Sequence, residues 1–557
     1  MRETSRPVNF DRRSLLQTIS GLGIGTLVFQ RALAAQVEQP NRITADMIQQ
    51  AEWVAGIELS EEEREVAARS LQGLMRKMET LRKIPLSNDI PPAVAFRLEP
   101  PSSPEVVRTQ GARPIENHAG GKPAAEDLAF LPVTELAALL RHRKISSVEL
   151  TKLYLERLHA FDKQLHCVVT FTDDLALRQA ERADRELAQG RYRGPLHGVP
   201  WGAKDLIAYP GFPTTWGAPQ FQEQVLSEKA TVARRLDDAG AVLVAKLTLG
   251  AIAMGDQWFG GMTRNPWNTE QGSSGSSAGS AAATAAGCVG FSLGSETLGS
   301  IISPSRRCGT TGLRPTFGRV SRYGCMTLAW SMDKIGPICR SVEDCALVLD
   351  VIRGADGHDT SAVDADFAWP SATDIRGLRV GYFADKMSEV EQRAVDHFRQ
   401  LGCELVPIQL PRIPAWAMTF ILDAESACAF DDLVRDNNLE GLNHWPRIWQ
   451  KAEFVTAVEY LRANRVRTLL QREMDQLFGQ VDVYLGGDDL AITNLTGHPS
   501  LVLPGAEVTP EQKAQPASLK ITGKLFDEET LLLVAHAYQT ATDYHLQRPV
   551  LAADEGE

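Results

Sequence analysis

The sequence predicts a layered α/β fold built on a largely parallel or mixed sheet. Short apolar stretches typical of strands alternate with amphipathic helical stretches from about Leu128 onward, and such alternation is typical of α/β proteins. The 557 residues are 43% hydrophobic and 23% charged, which is ordinary for a globular protein. A chain of this length can bury a substantial core without help from disulfides.

Charge and cysteine usage argue against several classes of protein. The net charge of −12 and the pI of about 5.5 argue against a nucleic-acid surface and against a basic membrane-binding patch. The eight cysteines show neither CxxC nor Cys/His ligand spacing, and most lie among apolar or small residues. We therefore expect no metal site, no disulfide framework and no cofactor.

Residues 1–35 resemble a Tat-type export signal. The basic pair Arg12-Arg13 precedes an apolar run from Ile19 to Phe29, and Ala32-Leu33-Ala34 follows as a small-residue pattern. This run is too short to cross a bilayer, since a membrane helix needs roughly 20 residues. An uncleaved amphipathic N-terminus is the alternative. We expect an exported protein, periplasmic or secreted, with no membrane insertion in its mature form.

Two further segments precede the main domain, which is expected over residues 126–550. Residues 36–83 are expected to form a helical extension, with Ser60 and Glu63 as a capping box and apolar residues at helical spacing behind it. Residues 84–125 are rich in Pro, Gly, Asn and Ser, which predicts an extended strap or linker.

Periodicity predicts the first elements of the main domain. Helices are expected over Thr134–Arg143, over Ser146–Phe161 with Ser146 and Glu149 as a capping box, over Ala176–Gln189 and in the segment that ends at Gly240. Strands are expected over His166–Phe171, His197–Trp201 and Ala241–Leu247.

Residues 265–314 are unusually dense in Ser and Gly. A Ser/Gly run leads into an Ala-rich helix (Ala278–Ala286), an apolar strand (Cys288–Leu293) and a second Gly/Ser turn that ends at Ser300. Small residues permit positive φ and close approach of the backbone. Several N–H groups can then converge on one point, as an oxyanion hole requires.

Two other interpretations of this segment fit less well. A flexible Ser/Gly linker would not contain the helix and the strand, which need burial. The nucleophile-elbow pattern G-x-S-x-G matches Gly275–Gly279 with Ser277 as nucleophile, but the residues before it are too polar for the buried strand that this motif requires. The elbow also needs a histidine, and neither His498 nor His536 lies in a recognisable context.

The sequence resembles the amidase signature family from about Leu128 to Pro549. The likeness rests on motifs in order: GVPWGAKDL around Lys204, SGSSAGSAAA around Ser276, GSETLGS ending at Ser300, then CGTTGLRPT, SMDKIGP, NLTGHPSLVLP and KITGKLFDEETLLLVAHAYQ. The Lys-to-Ser-to-Ser spacing of 72 and then 24 residues makes the likeness specific. It implies the amidase-signature fold, a large twisted mixed sheet covered by helices on both faces.

The resemblance also implies a role for each motif residue. Ser300 is the nucleophile, and Ser276, which follows a cis peptide bond to Gly275, passes the proton of Ser300 to Lys204. The oxyanion hole is formed by the backbone N–H groups of Thr297, Leu298, Gly299 and Ser300. The implied reaction is hydrolysis of a carbon–nitrogen amide bond through an acyl-serine intermediate.

Such a mechanism requires an uncharged lysine. A serine hydroxyl must lose its proton as it attacks, and a neutral amine is the strong base available when the motif has no histidine. A free lysine has a pKa of about 10.4, but burial disfavours the ammonium ion and lowers that pKa. The apolar stretch Val199-Pro200-Trp201 makes burial of Lys204 plausible. The alternative is a surface lysine paired with Asp205.

Three positions depart from the family pattern. Ile302 stands where relatives often have Arg, Leu298 replaces a common Gly, and Glu296 occupies a position usually held by Asp. None of these changes removes a catalytic group. They bear on the shape of the substrate, and not on the type of reaction.

Three functions are therefore weighed. The first is an exported amidohydrolase acting on a small-molecule or peptide amide, with a homodimer left open as its assembly. The second is an amidotransferase subunit that generates ammonia from glutamine, a cytoplasmic role with partner subunits that an export signal argues against. The third is a non-catalytic binding protein, which the presence of all three relay residues disfavours. The substrate pocket is expected to come largely from residues 374–485 and from loops near Trp258–Thr263.

Overall fold

The computed structural model of the chain describes residues 42–86, 90–94, 123–370, 374–508 and 516–551. The predicted export signal and most of the predicted linker lie outside these residues, and the predicted domain boundaries stay predictions. None of the described helices combines the length and the apolar composition that are needed to cross a bilayer.

The helices are numbered here in chain order. They are α1 (Ala45–Ala55), α2 (Glu61–Arg82), α3 (Ala125–Leu128), α4 (Val133–Arg141), α5 (Ser147–Leu165), α6 (Asp173–Ala188), α7 (Thr231–Asp238), α8 (Ala278–Ala285), α9 (Ile302–Cys308), α10 (Val342–Ile352), α11 (Glu389–Gln400), α12 (Phe420–Ala429), α13 (Asp431–Arg435), α14 (Trp445–Ala452), α15 (Ala457–Phe478), α16 (Leu490–Thr496) and α17 (Glu528–Thr542).

The strands form one large sheet and two short hairpins. They are β1 (Val168–Phe171), β2 (Pro200–Lys204), β3 (Val242–Leu247), β4 (Gln257–Trp258), β5 (Gly261–Met262), β6 (Arg264–Asn265), β7 (Asn268–Gly272), β8 (Phe291–Glu296), β9 (Thr311–Arg314), β10 (Lys334–Cys339), β11 (Arg379–Tyr382), β12 (Glu404–Pro407), β13 (Val483–Leu485), β14 (Ser500–Pro504) and β15 (Ser518–Gly523). Within the described residues, the large sheet has 11 strands in the order β1-β3-β2-β8-β10-β9-β14-β15-β13-β11-β12.

The sheet is mixed, which confirms the predicted fold class. Strand β2 runs parallel to both of its neighbours, β3 and β8, whereas β8 and β9 each pair antiparallel with β10. Strands β2, β3 and β10 are buried along their whole length. Fully buried strands of this kind occur where helices cover both faces of a sheet. The centre of the sheet is therefore shielded from water.

The predicted elements are present, with ends displaced by a few residues. Ser60 with Glu63 and Ser146 with Glu149 form complete capping boxes, as predicted. The predicted strand His197–Trp201 is observed as Pro200–Lys204, and the predicted strand Cys288–Leu293 as Phe291–Glu296. Each of these strands therefore extends further toward the catalytic motif that follows it.

The N-terminal helices pack onto the rest of the chain. Buried residues of α1 and α2 share one hydrophobic cluster with buried residues of α12 and α15. Two polar contacts join α2 to the same region, since Arg82 pairs with Glu459 at 2.7 Å and Lys77 Nζ donates to Thr419 Oγ1 at 2.8 Å. Ala93 N also donates to Asn464 O at 3.0 Å.

Candidate active site

Lys204 is the last residue of β2 and lies in the interior of the protein. Its side chain is fully buried, and the residues on either side of it, Ala203 and Asp205, are buried as well. The register places Ala203 opposite Leu293 of β8, so the end of β2 lies beside the end of β8. The sheet thereby brings Lys204 next to the turn that follows β8.

Hydroxyl groups surround the Lys204 amine. Its Nζ lies 2.7 Å from Ser276 Oγ, 3.1 Å from Ser277 Oγ and 2.9 Å from Ser295 Oγ. The carbonyl oxygen of Ser295 lies 3.3 Å away. The predicted contact between Lys204 and Ser276 is therefore present in the structure. Sequence reasoning missed Ser277 and Ser295 as partners of the amine, because nothing in the motif shows which side chains of a Ser-rich segment turn inward.

Burial changes the protonation of Lys204. Desolvation lowers the pKa of the amine well below its ordinary value, and the negative charges of Asp333 and Glu296 oppose that shift only in part. A neutral amine carries a lone pair that can accept a proton. The alternative of a surface lysine paired with Asp205 is wrong, since the Asp205 carboxylate forms an ion pair with Lys246 at 2.6 Å.

Ser276 lies in the loop between β7 and α8. Ser274 and Gly275 both have positive φ, at 66° and 57°, which turns the chain sharply before Ser276. A Cβ atom on Gly275 would lie 2.3 Å from Pro304 Cδ, so only glycine fits this position. The expected cis bond between Gly275 and Ser276 is wrong, because in the described residues the cis peptide is Trp369–Pro370.

Ser300 lies in the turn between β8 and α9. Ser277 N donates to the carbonyl oxygen of Ser300 at 3.1 Å, which holds this turn against the loop that carries Ser276. Within residues 123–370, no hydrogen bond joins the Ser300 hydroxyl to Ser276. Catalytic hydrogen bonds are often formed only in the substrate complex, and a rotation about a serine Cα–Cβ bond moves its hydroxyl. The structure thus shows the contact of Lys204 with Ser276 and the proximity of the two loops.

The turn after β8 presents backbone donors to a cavity. Thr297, Leu298, Gly299 and Ser300 all line this cavity, and Gly299 has a positive φ of 98°. In the described chain, the N–H groups of Leu298, Gly299 and Ser300 donate to no backbone or side-chain acceptor. Donors that converge without a partner are what a developing oxyanion requires.

Buried carboxylates hold this turn in place. Glu296 accepts hydrogen bonds from Ile301 N at 2.8 Å and Ile302 N at 3.0 Å, and pairs with Arg314 at 2.7 Å. Burial alone would raise the pKa of Glu296, but the charges of Arg314 and Lys334 and the hydrogen bonds lower it to about 2. The longer side chain of Glu296, a departure from the family pattern, therefore braces the catalytic turn.

A second carboxylate braces the start of the turn. Asp333 accepts the Thr297 hydroxyl at 2.6 Å, and its other oxygen accepts Leu328 N at 2.8 Å and Ala329 N at 2.9 Å. The motif SMDKIGP thus contributes a charged side chain beneath the turn, together with the buried Lys334.

The cavity at Ser300 has a volume of about 450 Å³. Its lining residues come from the loop before β4, from both catalytic loops, from α9, α12 and α14, and from the turns around β13 and β15: Ala253, Met254, Gly255, Gly275, Thr297, Leu298, Gly299, Ser300, Ile302, Ser303, Arg306, Leu328, Leu422, Trp445, Gly487, Asp488, Asp489, Leu490 and Lys520. The predicted pocket segment 374–485 contributes Leu422 and Trp445, whereas the predicted loop Trp258–Thr263 does not line this cavity.

The nucleophile-elbow interpretation is wrong. Ser277 is fully buried, and its hydroxyl donates to Ser295 O at 3.0 Å, away from the cavity. The strand before it, β7, pairs only with β6 in a separate hairpin and has exposed residues. His498 contacts Thr496 and stacks on Phe478, so it is not a partner for Ser277.

No cluster of His, Cys, Asp or Glu side chains suited to a metal ion occurs among the described residues. The eight cysteines are free thiols, and Cys428 is the exposed one.

A buried neutral amine, an adjacent hydroxyl and a donor-lined turn define an enzyme of acyl-group chemistry. The family model described as Amidase matches residues 149–486, which is more than half of the chain. The chain belongs to the amidase signature family, and it is an enzyme that acts on carboxamide C–N bonds.

Relatives with curated names belong to tRNA-dependent amidotransferases. A glutamyl-tRNA(Gln) amidotransferase subunit from a Roseiflexus species is 37% identical over 489 positions, spanning 76% of this chain and 99% of that protein. The protein of the same name from Methylococcus capsulatus is 33% identical over 485 positions, with the same coverage of both chains.

Solved structures support the same fold. The peptide amidase from Stenotrophomonas maltophilia matches with a TM-score of 0.67 and 29% identity, covering 75% of this chain and 98% of that one. The corresponding glutamyl-tRNA(Gln) amidotransferase subunit from Thermotoga maritima matches with a TM-score of 0.63 and 25% identity, covering 76% and 97%.

Proposed function

We propose that the protein is an amidohydrolase that cleaves its substrate through an acyl-serine intermediate, with Ser300 as nucleophile, Ser276 as proton relay and Lys204 as base. The observation that carries this proposal is the buried Lys204 amine, whose pKa is strongly lowered, at 2.7 Å from Ser276 Oγ. A neutral amine in hydrogen-bond contact with a hydroxyl can draw a proton through it.

The steps follow from these positions. Ser300 Oγ forms a bond to the carbonyl carbon as its proton passes to Ser276, and the proton of Ser276 passes to Lys204 Nζ. The N–H groups of residues 297–300 bind the oxyanion. The relay then returns a proton to the leaving nitrogen, the C–N bond breaks and an amine or ammonia departs. Water attacks the acyl-serine by the same relay and releases the carboxylic acid.

Covalent labelling tests the nucleophile. A fluorophosphonate probe is expected to label the wild-type protein and the Ser303→Ala variant, because Ser303 lines the same cavity without a role in the relay. The Ser300→Ala variant should remain unlabelled, and Lys204→Met should be labelled far more slowly. Labelling of Ser300→Ala at the wild-type rate would assign the nucleophile elsewhere.

A role within an amidotransferase complex is the second candidate, because the curated relatives that match three quarters of the chain carry that name. The two candidates differ in what the isolated protein does. An amidohydrolase releases ammonia or amine from simple amides without partner subunits. A screen of primary amides, aryl amides, amino-acid amides, ureas and glutamine, with ammonia and amine as readouts, separates them.

We also propose that the protein is exported, which would separate it from a tRNA-dependent role. The proposal rests on the sequence of residues 1–35, with Arg12 and Arg13 before the apolar run. Cell fractionation is expected to place the wild-type protein outside the cytoplasm, and the Arg12→Lys/Arg13→Lys variant inside it. An equal distribution of both proteins would contradict export by this signal.

A further inference from the structure

The charges of the active-site cavity are unevenly satisfied. Lys520 lies in the cavity wall and pairs with the buried Asp489, which also accepts the Tyr484 hydroxyl at 2.6 Å. These two charges therefore compensate each other. Arg306 lines the same cavity and is exposed.

Arg306 has no carboxylate partner among the described residues. Its Nε donates to Ser518 Oγ at 3.3 Å, and no ion pair joins its guanidinium to an acidic side chain of the described chain. An unpaired guanidinium presents planar donors that match a carboxylate. Arg306 is thus available to a ligand in the cavity.

Helix α9 connects this group to the oxyanion turn. The residues Gly299, Ile302, Ser303 and Arg306 all line the cavity, and they recur at the spacing of one helix face. Ser303 N donates to Gly299 O at 2.8 Å, so the helical hydrogen bonding begins at the turn itself. With a rise of about 1.5 Å per residue, Arg306 lies about 10 Å along the helix from Gly299.

We propose, building on the proposed amidohydrolase function, that Arg306 binds a carboxylate on the substrate and makes the enzyme selective for anionic amides. The apolar side chain of Ile302 lies between Arg306 and the turn on that face, where the family often has the arginine. The cation is thereby moved one helical turn away from the reacting carbonyl. The substrate therefore carries its carboxylate several bonds from the scissile amide.

Asp488 sets the sign of a second effect. Its carboxylate lines the cavity, is exposed and forms no ion pair with a described residue. A like charge in the same cavity weakens binding of a carboxylate. Asp488→Asn should therefore increase the selectivity for anionic amides, whereas Arg306→Gln should remove it.

The test compares matched pairs of amides with a terminal carboxylate or a terminal hydroxymethyl group. One series carries the terminal group on the acyl side and the other on the amine side, each with increasing chain length. Release of ammonia or amine is measured for the wild type, Arg306→Gln, Arg306→Lys and Arg307→Gln. Arg307 is the matched control, since it is the neighbouring arginine of the same helix turn and does not line the cavity.

In at least one series the wild type should favour the carboxylate by about tenfold in kcat/KM, which is the range expected for one charge-assisted contact. The preference should show mainly in KM, decline with added salt and have an optimal chain length. Arg306→Gln should abolish it, Arg306→Lys should keep part of it and Arg307→Gln should keep it whole.

The proposal is overturned if the wild type shows no preference in either series, or if Arg307→Gln loses the preference as Arg306→Gln does. Hydrolysis of the neutral amides and labelling by a fluorophosphonate report the relay itself. Failure of these two readouts would refute the amidohydrolase function, and a loss of selectivity alone would refute only the role of Arg306.

Discussion

The replacement Asp333→Asn should move the pH dependence of the enzyme toward lower pH. Lys204 must be uncharged to accept a proton, so kcat/KM should rise with pH through the pKa of its amine. The negative charge of Asp333 raises that pKa against the larger effect of desolvation. Removing the charge lowers the pKa further, and the rising limb of the profile follows it.

The size of the shift follows from Coulomb's law. For a charge about 8 Å away and an effective dielectric constant of about 20, the interaction is about 2 kcal/mol, which corresponds to about 1.5 pH units. Asparagine keeps an oxygen that can accept the hydrogen bond from Thr297, although the turn will be less firmly held. A less firmly held turn lowers the plateau of the profile and leaves the midpoint of its limb unchanged, so the two effects separate.

The assay is kcat/KM for a neutral amide between about pH 5 and pH 9, with a buffer of constant ionic strength. Asp488→Asn is the control, because it removes a carboxylate of the same cavity that does not act on the pKa of Lys204. Its limb should coincide with that of the wild type. A limb that stays in place in Asp333→Asn, or moves to higher pH, would show that another group titrates.

Three further substitutions test the construction of the site. Glu296→Gln should destabilise the protein by about 3 kcal/mol in denaturant unfolding, since it leaves a buried cation unpaired; in the wild type the low pKa of Glu296, about 2 against an ordinary 4.5, stabilises fully above pH 4.5 and is lost as the pH falls toward 2. Gly275→Ala should abolish amide hydrolysis because its Cβ would lie 2.3 Å from Pro304 Cδ, whereas Gly255→Ala, with a similar φ of 65° and open space around it, should retain activity. Ser277→Ala should keep fluorophosphonate labelling but lower kcat about fivefold through the lost contact to the amine, and loss of labelling would instead revive Ser277 as nucleophile.

Sequence reasoning located the catalytic groups because each lies in a motif of small, closely spaced residues. Lys204, Ser276 and the turn at Ser300 come from three separate segments, and the sheet brings them to one place through the parallel pairing of β2 with β8. Local propensity gave the capping boxes and the alternation of strands and helices. It could not give the strand order, because pairing between distant strands depends on the whole chain.

The errors have physical causes as well. Periodicity placed two strands three residues too early, since the glycine and polar residues at their ends, such as Gly202 and Ser295, do not read as strand residues although both lie in the sheet. Arg306 was overlooked because a charged residue in a short helix has no local signal of what it faces. Its position on the cavity wall depends on the tertiary fold.

The surroundings of Lys204 explain how one amine can serve both halves of a reaction. The Ser277 hydroxyl donates to Ser295 O at 3.0 Å, so its oxygen faces Lys204 as an acceptor, and Ser295 Oγ offers a second acceptor at 2.9 Å. A neutral amine places its two N–H bonds there and keeps its lone pair for the Ser276 hydroxyl. After proton uptake the third N–H points to Ser276 Oγ, which then accepts. Neutral hydroxyls satisfy both states, whereas a carboxylate in contact with the amine would hold the proton and prevent its return to the leaving nitrogen.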